Sequence, residues 1–249
     1  MPAAITVLAV ALLALAAPAT APAAGVPDRA PITSPAAGQA SGTVILIHGG
    51  AWVHHGPARA MRQHRRHAAR LNRLGFDTFS ITYRSGAQAL PDVVAFYDAL
   101  RRRRGDREPV CSLGDSAGGH LSLMLAARRP GLDCAISRGA PTDLRFADGI
   151  WRPAVERLLA PHAPLASISP VFFARRLAGR VVASHAHHDP LVDHSQLVRL
   201  RRASGGAIKT ITLPPGRAHY VHAGVNAAAL GGLEHDEAQL LRTAASLVP

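Results

Sequence analysis

Apolar and polar positions along the chain fall into two alternating kinds of run. Short, largely apolar stretches recur at Thr43–His48, Phe76–Tyr83, Val110–Leu113, Cys134–Ser137, Arg180–His185 and Ala207–Leu213. They are too short for helices and read as strands of a parallel sheet covered on both faces. Between them lie segments with apolar residues at helical spacing. Pro57–Leu74 carries Met61, Ala68, Leu71 and Leu74 on one face, and Leu90–Arg103 is opened by Pro91. His120–Ala127, Leu191–Ala203 and Gly232–Leu247 follow, the last with Leu233, Leu240, Leu241 and Leu247. Strand and helix in strict alternation specify an α/β domain. Residues 140–178 are irregular and Pro-rich, with one short helix expected near Trp151–Leu159. The pattern predicts about six strands with a ragged edge, because the stretch before Thr43 has little strand character.

Composition changes this picture in two places. The 249 residues are 48% hydrophobic, enough for one sizeable core. Lys+Arg of 28 against Asp+Glu of 16 gives a net charge of +12, which raises nucleic acid or an anionic envelope as partners. The charge is almost all arginine, scattered over helical faces, and aromatics are only 4%. Stacking platforms are therefore scarce, solvated helix faces are the simpler reading, and no nucleic-acid partner is expected.

The N-terminus opens on an apolar, Ala- and Leu-rich run through Ala17, followed by small residues such as Ala21-Pro22-Ala23. A run of this length followed by a small-residue cleavage site reads as a secretory signal over residues 1–24. No Lys or Arg precedes the run, which departs from the usual pattern, and no cysteine follows it for a lipid anchor. The expectation is an exported protein, secreted or held in the cell envelope, with no transmembrane segment after signal removal. Residues 25–42 read as an extended lead-in and 43–249 as the functional domain. The two cysteines, Cys111 and Cys134, open two successive strands. Export would permit a disulfide between them, and two buried thiols are the alternative.

The chemistry centres on Gly114-Asp115-Ser116-Ala117-Gly118. A strand enters this turn and a helix leaves it at once, the setting of a nucleophile elbow. Glycines two residues either side relieve crowding between strand and helix, and the helix N-terminus favours a developing oxyanion beside Ser116. Three other strand ends carry reactive or anion-binding groups: His48-Gly49-Gly50-Ala51-Trp52, Asp189 and His219. Open α/β sheets place their chemistry at these carboxyl ends.

These motifs resemble the α/β-hydrolase superfamily, and within it the esterase and lipase branch with His-Gly-Gly-type oxyanion loops and Gly-Asp-Ser-Ala-Gly-Gly elbows. That branch includes hormone-sensitive-lipase-like esterases, feruloyl or acetyl-xylan esterase-like enzymes and kynurenine formamidase-like amidases. The resemblance runs from about residue 43 to 249 and keeps the order nucleophile, acid, base as Ser116, Asp189, His219. Asp189-Pro190-Leu191-Val192 matches the family's acid segment, and Gly216-Arg217-Ala218-His219 is similar to its base segment. Ala51 replaces the third loop glycine but keeps a backbone N–H. The small insert at 140–178 implies a slight cap.

The resemblance implies that Ser116 attacks a carbonyl while His219 takes its proton and Asp189 orients the imidazole. The N–H groups of Gly49 or Gly50 and of Ala117 would bind the oxyanion. Asp193 and Asp143 compete for the acid role and His222 for the base. His48 is expected to brace the oxyanion loop, and Trp52 either walls the acyl pocket or packs on the scaffold. The string His185-Ala186-His187-His188-Asp189, with His194, is reminiscent of a dinuclear metallohydrolase. Pro190 stands at its final ligand position and no further ligand set is evident. No metal and no cofactor are expected. The leading expectation is a secreted serine esterase for short to medium acyl esters, with small-molecule esters as substrates. An amidase or formamidase on the same triad is the alternative, and a non-catalytic binding domain on the same fold is the option from another class.

Overall fold

The computed structural model describes residues 31–106, 108–147, 152, 155–156, 164–213 and 227–246. Its centre is a seven-stranded sheet of order β1-β3-β2-β4-β5-β6-β7. The six apolar runs become β2 (Gly42–Ile47), β3 (Phe76–Ile81), β4 (Val110–Asp115), β5 (Cys134–Arg138), β6 (Val181–Ala186) and β7 (Lys209–Leu213). All six are parallel.

The seventh strand, β1 (Ile32–Ser34), lies in the lead-in and pairs antiparallel with β3 at the edge. Three residues are too few to show a period, so the apolar pattern does not reveal it. It is held by Asn72, whose side chain donates to the Ser34 carbonyl at 2.9 Å and accepts from the Ser34 hydroxyl at 2.7 Å.

Helices α1 (Pro57–Arg73), α2 (Ala89–Arg104), α3 (Ala117–Arg128), α4 (Ser195–Ala203) and α5 (Ala227–Ser246) cover both faces. Successive residues of β2 point to opposite sides. Val44 and Leu46 pack with Ala68 and Leu71 of α1 and Leu241 of α5. Ile45 and Ile47 join Val93 and Leu100 of α2, Leu121 and Leu125 of α3 and Leu200 of α4.

Several boundaries depart from expectation, among them α3, which starts at Ala117, and α5, which starts at Ala227. Helix α4 begins at Ser195, not at Leu191. The Asp189 carboxylate accepts the N–H groups of Leu191 and Val192, and Asp193 accepts that of Ser195. These side-chain caps hold the chain in turns before the helix can start. Helix α1 buries His64 and His67 as well as Ala68 and Leu71, while Leu74 lies only half-buried just beyond its end. Buried histidines leave no trace in an apolar pattern, because each finds a distant polar partner, His64 the Ser80 hydroxyl at 2.8 Å and His67 the Asp115 carboxylate at 3.0 Å.

The segment from 140 to 178 contains short 3-10 helices at Leu144–Phe146, Leu165–Ile168 and Pro170–Leu177. The helix expected near Trp151–Leu159 and the signal at residues 1–24 lie outside the described residues, apart from positions 152, 155 and 156 of the former. No helix among the described residues is long and apolar enough to cross a membrane.

Cys111 and Cys134 are direct register partners on β4 and β5 and form a disulfide. Both are fully buried between the sheet and the α1–α5 layer. The bridge closes a loop of sequence separation 23 that contains the elbow and α3. Closing a loop of this size in the unfolded chain is worth about 3 kcal/mol. The Cys111→Ala/Cys134→Ala double variant should therefore unfold at lower urea, by about that amount. An unchanged midpoint with an unchanged slope would show that the bridge does not constrain the unfolded chain.

Candidate active site

Strand β4 ends at Asp115 and α3 begins at Ala117, leaving Ser116 alone at the turn. Its backbone sits at φ 54° and ψ −120°, a conformation that is strained for any residue with a side chain. The strain is held from several sides. The Ser116 N–H donates to the Arg138 carbonyl on β5 at 2.7 Å, and the Ser116 carbonyl accepts the His120 N–H at 3.0 Å. Strand and helix then approach so closely that a Cβ on Gly118 would lie 1.9 Å from the Ile47 carbonyl oxygen. One on Gly114 would lie 2.2 Å from that of Gly118. Glycine at both positions is thus a steric requirement of the turn.

The loop His48–Trp52, the expected oxyanion loop, leaves β2 and folds over this turn. A Cβ on Gly49 would meet the Asp115 carbonyl at 2.8 Å and the Ser116 Cβ at 3.4 Å, so the Gly49 backbone lies against the candidate nucleophile. Gly50, Ala51 and Trp52 then follow with φ of 108°, 53° and 59°. Among the described residues, the N–H groups of Gly49, Gly50 and Ala117 donate to no other group. These three are the donors expected to receive an oxygen carrying negative charge beside Ser116.

His48 braces this loop, as expected. Its Nδ1–H donates to the Gly49 carbonyl at 2.8 Å. Its ring is stacked between His55 and Tyr83, with centroids at 4.6 and 4.1 Å, and the Tyr83 hydroxyl donates to the His48 carbonyl. Burial, assisted by the neighbouring His55 and His64, lowers the His48 pKa to about 3, so the ring is neutral at physiological pH.

Ser116 and Asp189 line one cavity of about 260 Å³, together with Ala51, Trp52, Ala117, Phe146 and Leu191 among others. The Asp189 side chain is buried, with Oδ2 3.3 Å from His185 Nε2. That nitrogen also donates to the Val192 carbonyl at 2.8 Å. The two competitors for the acid role are engaged differently. Asp193 also reaches the cavity but is exposed; hydrogen bonds from the Ser195 hydroxyl and then from the Ser195 N–H lower its pKa. Asp143 is buried in a two-pronged pair with Arg145 and does not line the cavity. The base candidates His219 and His222 lie outside the described residues.

Trp52 does both things that were open for it. It lines the cavity, and it packs on the scaffold at 2% exposure, with its indole N–H donating to His120. The histidine string at 185–194 forms ring contacts between His187 and His194 and between His185 and His194. Among the described residues, no group of three or more His, Cys, Asp or Glu is placed to hold a metal ion.

Three groups that support the site escaped the sequence reading. Beneath the elbow, His67 Nε2 pairs with Asp115 Oδ2 at 3.0 Å. Alongside, the fully buried Glu237 of α5 receives Arg138 through Nε at 2.7 Å and also Arg70 of α1. Burial opposes ionisation of Glu237, but the two guanidiniums hold its carboxyl below the usual range. Gln196 of α4 pins the cavity wall, accepting the N–H groups of Thr142 and Asp143 and donating to the Phe146 carbonyl. No local pattern signals these groups, because each joins residues far apart along the chain.

The BD-FAE family model matches residues 32–139, which span β1 to the end of β5. Solved structures match over most of the chain. A hormone-sensitive lipase from a metagenome library aligns at TM-score 0.67 and 20% identity, covering 98% of this chain and 93% of that one. Esterase 2 of Thermogutta terrifontis, in a propionate-bound structure, aligns at TM-score 0.65 and 19% identity, covering 86% and 89%. A truncated carbohydrate esterase from gut microbiota aligns at 0.65 and 17%, covering 89% and 99%. None of the curated proteins matches the sequence. The fold of this chain is the α/β-hydrolase fold, shared with these esterases and this lipase.

Proposed function

We propose that this protein is a serine hydrolase of short- to medium-chain carboxylic esters, acting through an acyl-enzyme. The observation that carries the proposal is Ser116 at φ 54° on a helix N-terminus, facing a cavity it shares with Asp189. In this reading His219 is the base that takes the Ser116 proton, and Asp189 stabilises the resulting imidazolium. The tetrahedral oxyanion is received by the N–H groups of Ala117 and of Gly49 or Gly50. Collapse expels the alcohol, protonated by His219, and water then repeats the cycle on the acyl-enzyme. A cavity of about 260 Å³ with apolar walls from Phe146, Ala147, Val155 and Leu191 suits a short acyl group. The neighbouring structures described as propionate-bound and butyrate-bound esterases favour the same size class. Export is proposed on the apolar N-terminal run together with the disulfide, a bond that persists in oxidising compartments.

Hydrolysis of p-nitrophenyl esters from acetate to palmitate tests this. Turnover is expected to peak at short chains and decline towards palmitate as the acyl group outgrows the cavity. A fluorophosphonate should add stoichiometrically at Ser116, located by peptide mass. A protein inert to every ester and to the phosphonate, yet folded, would remove the esterase reading. Turnover of formamides or anilides above that of esters would instead favour the amidase alternative.

A further inference from the structure

The oxyanion loop holds two non-glycine residues, Ala51 and Trp52, at positive φ. Such conformations cost energy and persist only where the surroundings over-determine them. For Trp52 the surroundings are specific. Its carbonyl accepts the Gly86 N–H at 2.8 Å, and its indole Nε1–H donates to His120 Nδ1 at 3.1 Å. The two rings meet edge to face, with centroids 5.4 Å apart. The far nitrogen of His120, Nε2, donates to the Ile168 carbonyl at 2.7 Å. An acceptor role at Nδ1 and a donor role at Nε2 define one neutral tautomer, so both nitrogens are committed. The ring is 1% exposed and does not line the cavity, which leaves it no route to the substrate.

The far side of this contact leads back to the cavity. Ile168 precedes Ser169, whose hydroxyl accepts the Leu144 N–H at 3.0 Å and donates to the Leu165 carbonyl. Leu144 opens the short helix that ends at Phe146, and Phe146 and Ala147 line the same cavity as Trp52. His120 therefore stands between the oxyanion loop and the acyl wall, on the first turn of the helix that Ser116 caps.

We propose that His120 is a positioning residue for acyl transfer, setting the oxyanion loop through the Trp52 indole and the acyl wall through the Ile168 carbonyl. The proposal rests on the esterase reading above. It adds a residue that touches no reacting atom yet fixes where the loop's N–H donors stand relative to the Ser116 Oγ.

The experiment compares wild type with Trp52→Phe, His120→Leu, His120→Gln and the Trp52→Phe/His120→Leu double variant. It measures kcat and KM on p-nitrophenyl acetate and the rate of fluorophosphonate labelling. A displaced donor weakens charge stabilisation in the transition state, so kcat should fall about tenfold or more in Trp52→Phe and His120→Leu. KM should stay within about twofold, because phenylalanine at position 52 keeps an aromatic ring on the cavity wall and His120 does not line the cavity. Phosphonate labelling should slow by the same factor, since it too develops oxyanion charge. The double variant should be no slower than the slower single, the mark of one shared interaction. His120→Gln, which keeps one acceptor and one donor, should recover most of the activity.

If His120→Leu fails to fold, Trp52→Phe decides alone, since it removes the indole N–H and keeps an aromatic ring. A wild-type kcat in Trp52→Phe, or a rise confined to KM, overturns the proposal and leaves the esterase reading standing. A wild type that neither turns over nor labels overturns both.

Discussion

Replacing Ser116 by alanine is expected to lower kcat on a p-nitrophenyl ester by about four to six orders of magnitude, the range seen when a triad serine is removed. In the proposed mechanism the Ser116 hydroxyl oxygen forms the acyl-enzyme, so without it only the proposed oxyanion donors and substrate binding would remain. The fold should be almost untouched. Alanine meets the same backbone demand at φ 54° as serine does, and the anchors of the turn are main-chain bonds to Arg138 and His120. KM should change little, and thermal unfolding should coincide with wild type. The measurement is a paired kinetic and melting comparison, with phosphonate labelling of wild type to count active sites. Residual turnover within about tenfold of wild type would place the nucleophile elsewhere.

The second large effect concerns stability in mild acid. His48, His64 and His120 are buried, and burial lowers their pKa values to about 3, 4 and 4 from an ordinary 6.5. In the unfolded chain each would take up a proton near pH 6.5, whereas in the folded chain each stays neutral until far lower pH. The stability these rings contribute is therefore fully present above pH 6.5 and is lost as pH falls towards 4. A fall from 6.5 to about 4 or 3 corresponds to roughly 3 to 5 kcal/mol per ring, with the sum reduced because neighbouring histidines repel one another once charged. Against a total stability of about 5 to 15 kcal/mol, that loss decides whether the domain stays folded. Urea midpoints should fall steeply between pH 6.5 and 4. Carboxylates act in a lower window: Asp98, Asp193 and Glu237, all held below their ordinary values, lose their contribution only as pH drops through the acid range below about 4. A urea midpoint that stayed level from pH 6.5 to 4.5 would mean that the histidines are solvated or paired differently.

The sequence by itself determined the parallel sheet, the succession of its six longer strands along the chain and the location of the elbow. Those features rest on local physics. Apolar period, strand length and turn chemistry act between residues a few positions apart, so they can be read from neighbours. The need for glycine at 114 and 118 was legible in the same way, and the structure supplies the reason in the carbonyl contacts at 2.2 and 1.9 Å. Short and capped elements were less legible. Strand β1 is set by its neighbours β3 and Asn72, and the start of α4 by the carboxylates of Asp189 and Asp193.

Only the tertiary structure could choose among equivalent residue types. Asp189, Asp143 and Asp193 look alike in sequence; the fold buries the first in the cavity, pairs the second with Arg145 and exposes the third on a helix cap. It also turned two cysteines on successive strands into register partners and a disulfide. Trp52 finds His120 across 68 positions, His67 finds Asp115 across 48 and Arg138 finds Glu237 across 99. A buried polar group is tolerable only when such a partner arrives. Which partner arrives depends on strand register and helix packing, and these are properties of the assembled core that no local stretch of sequence carries.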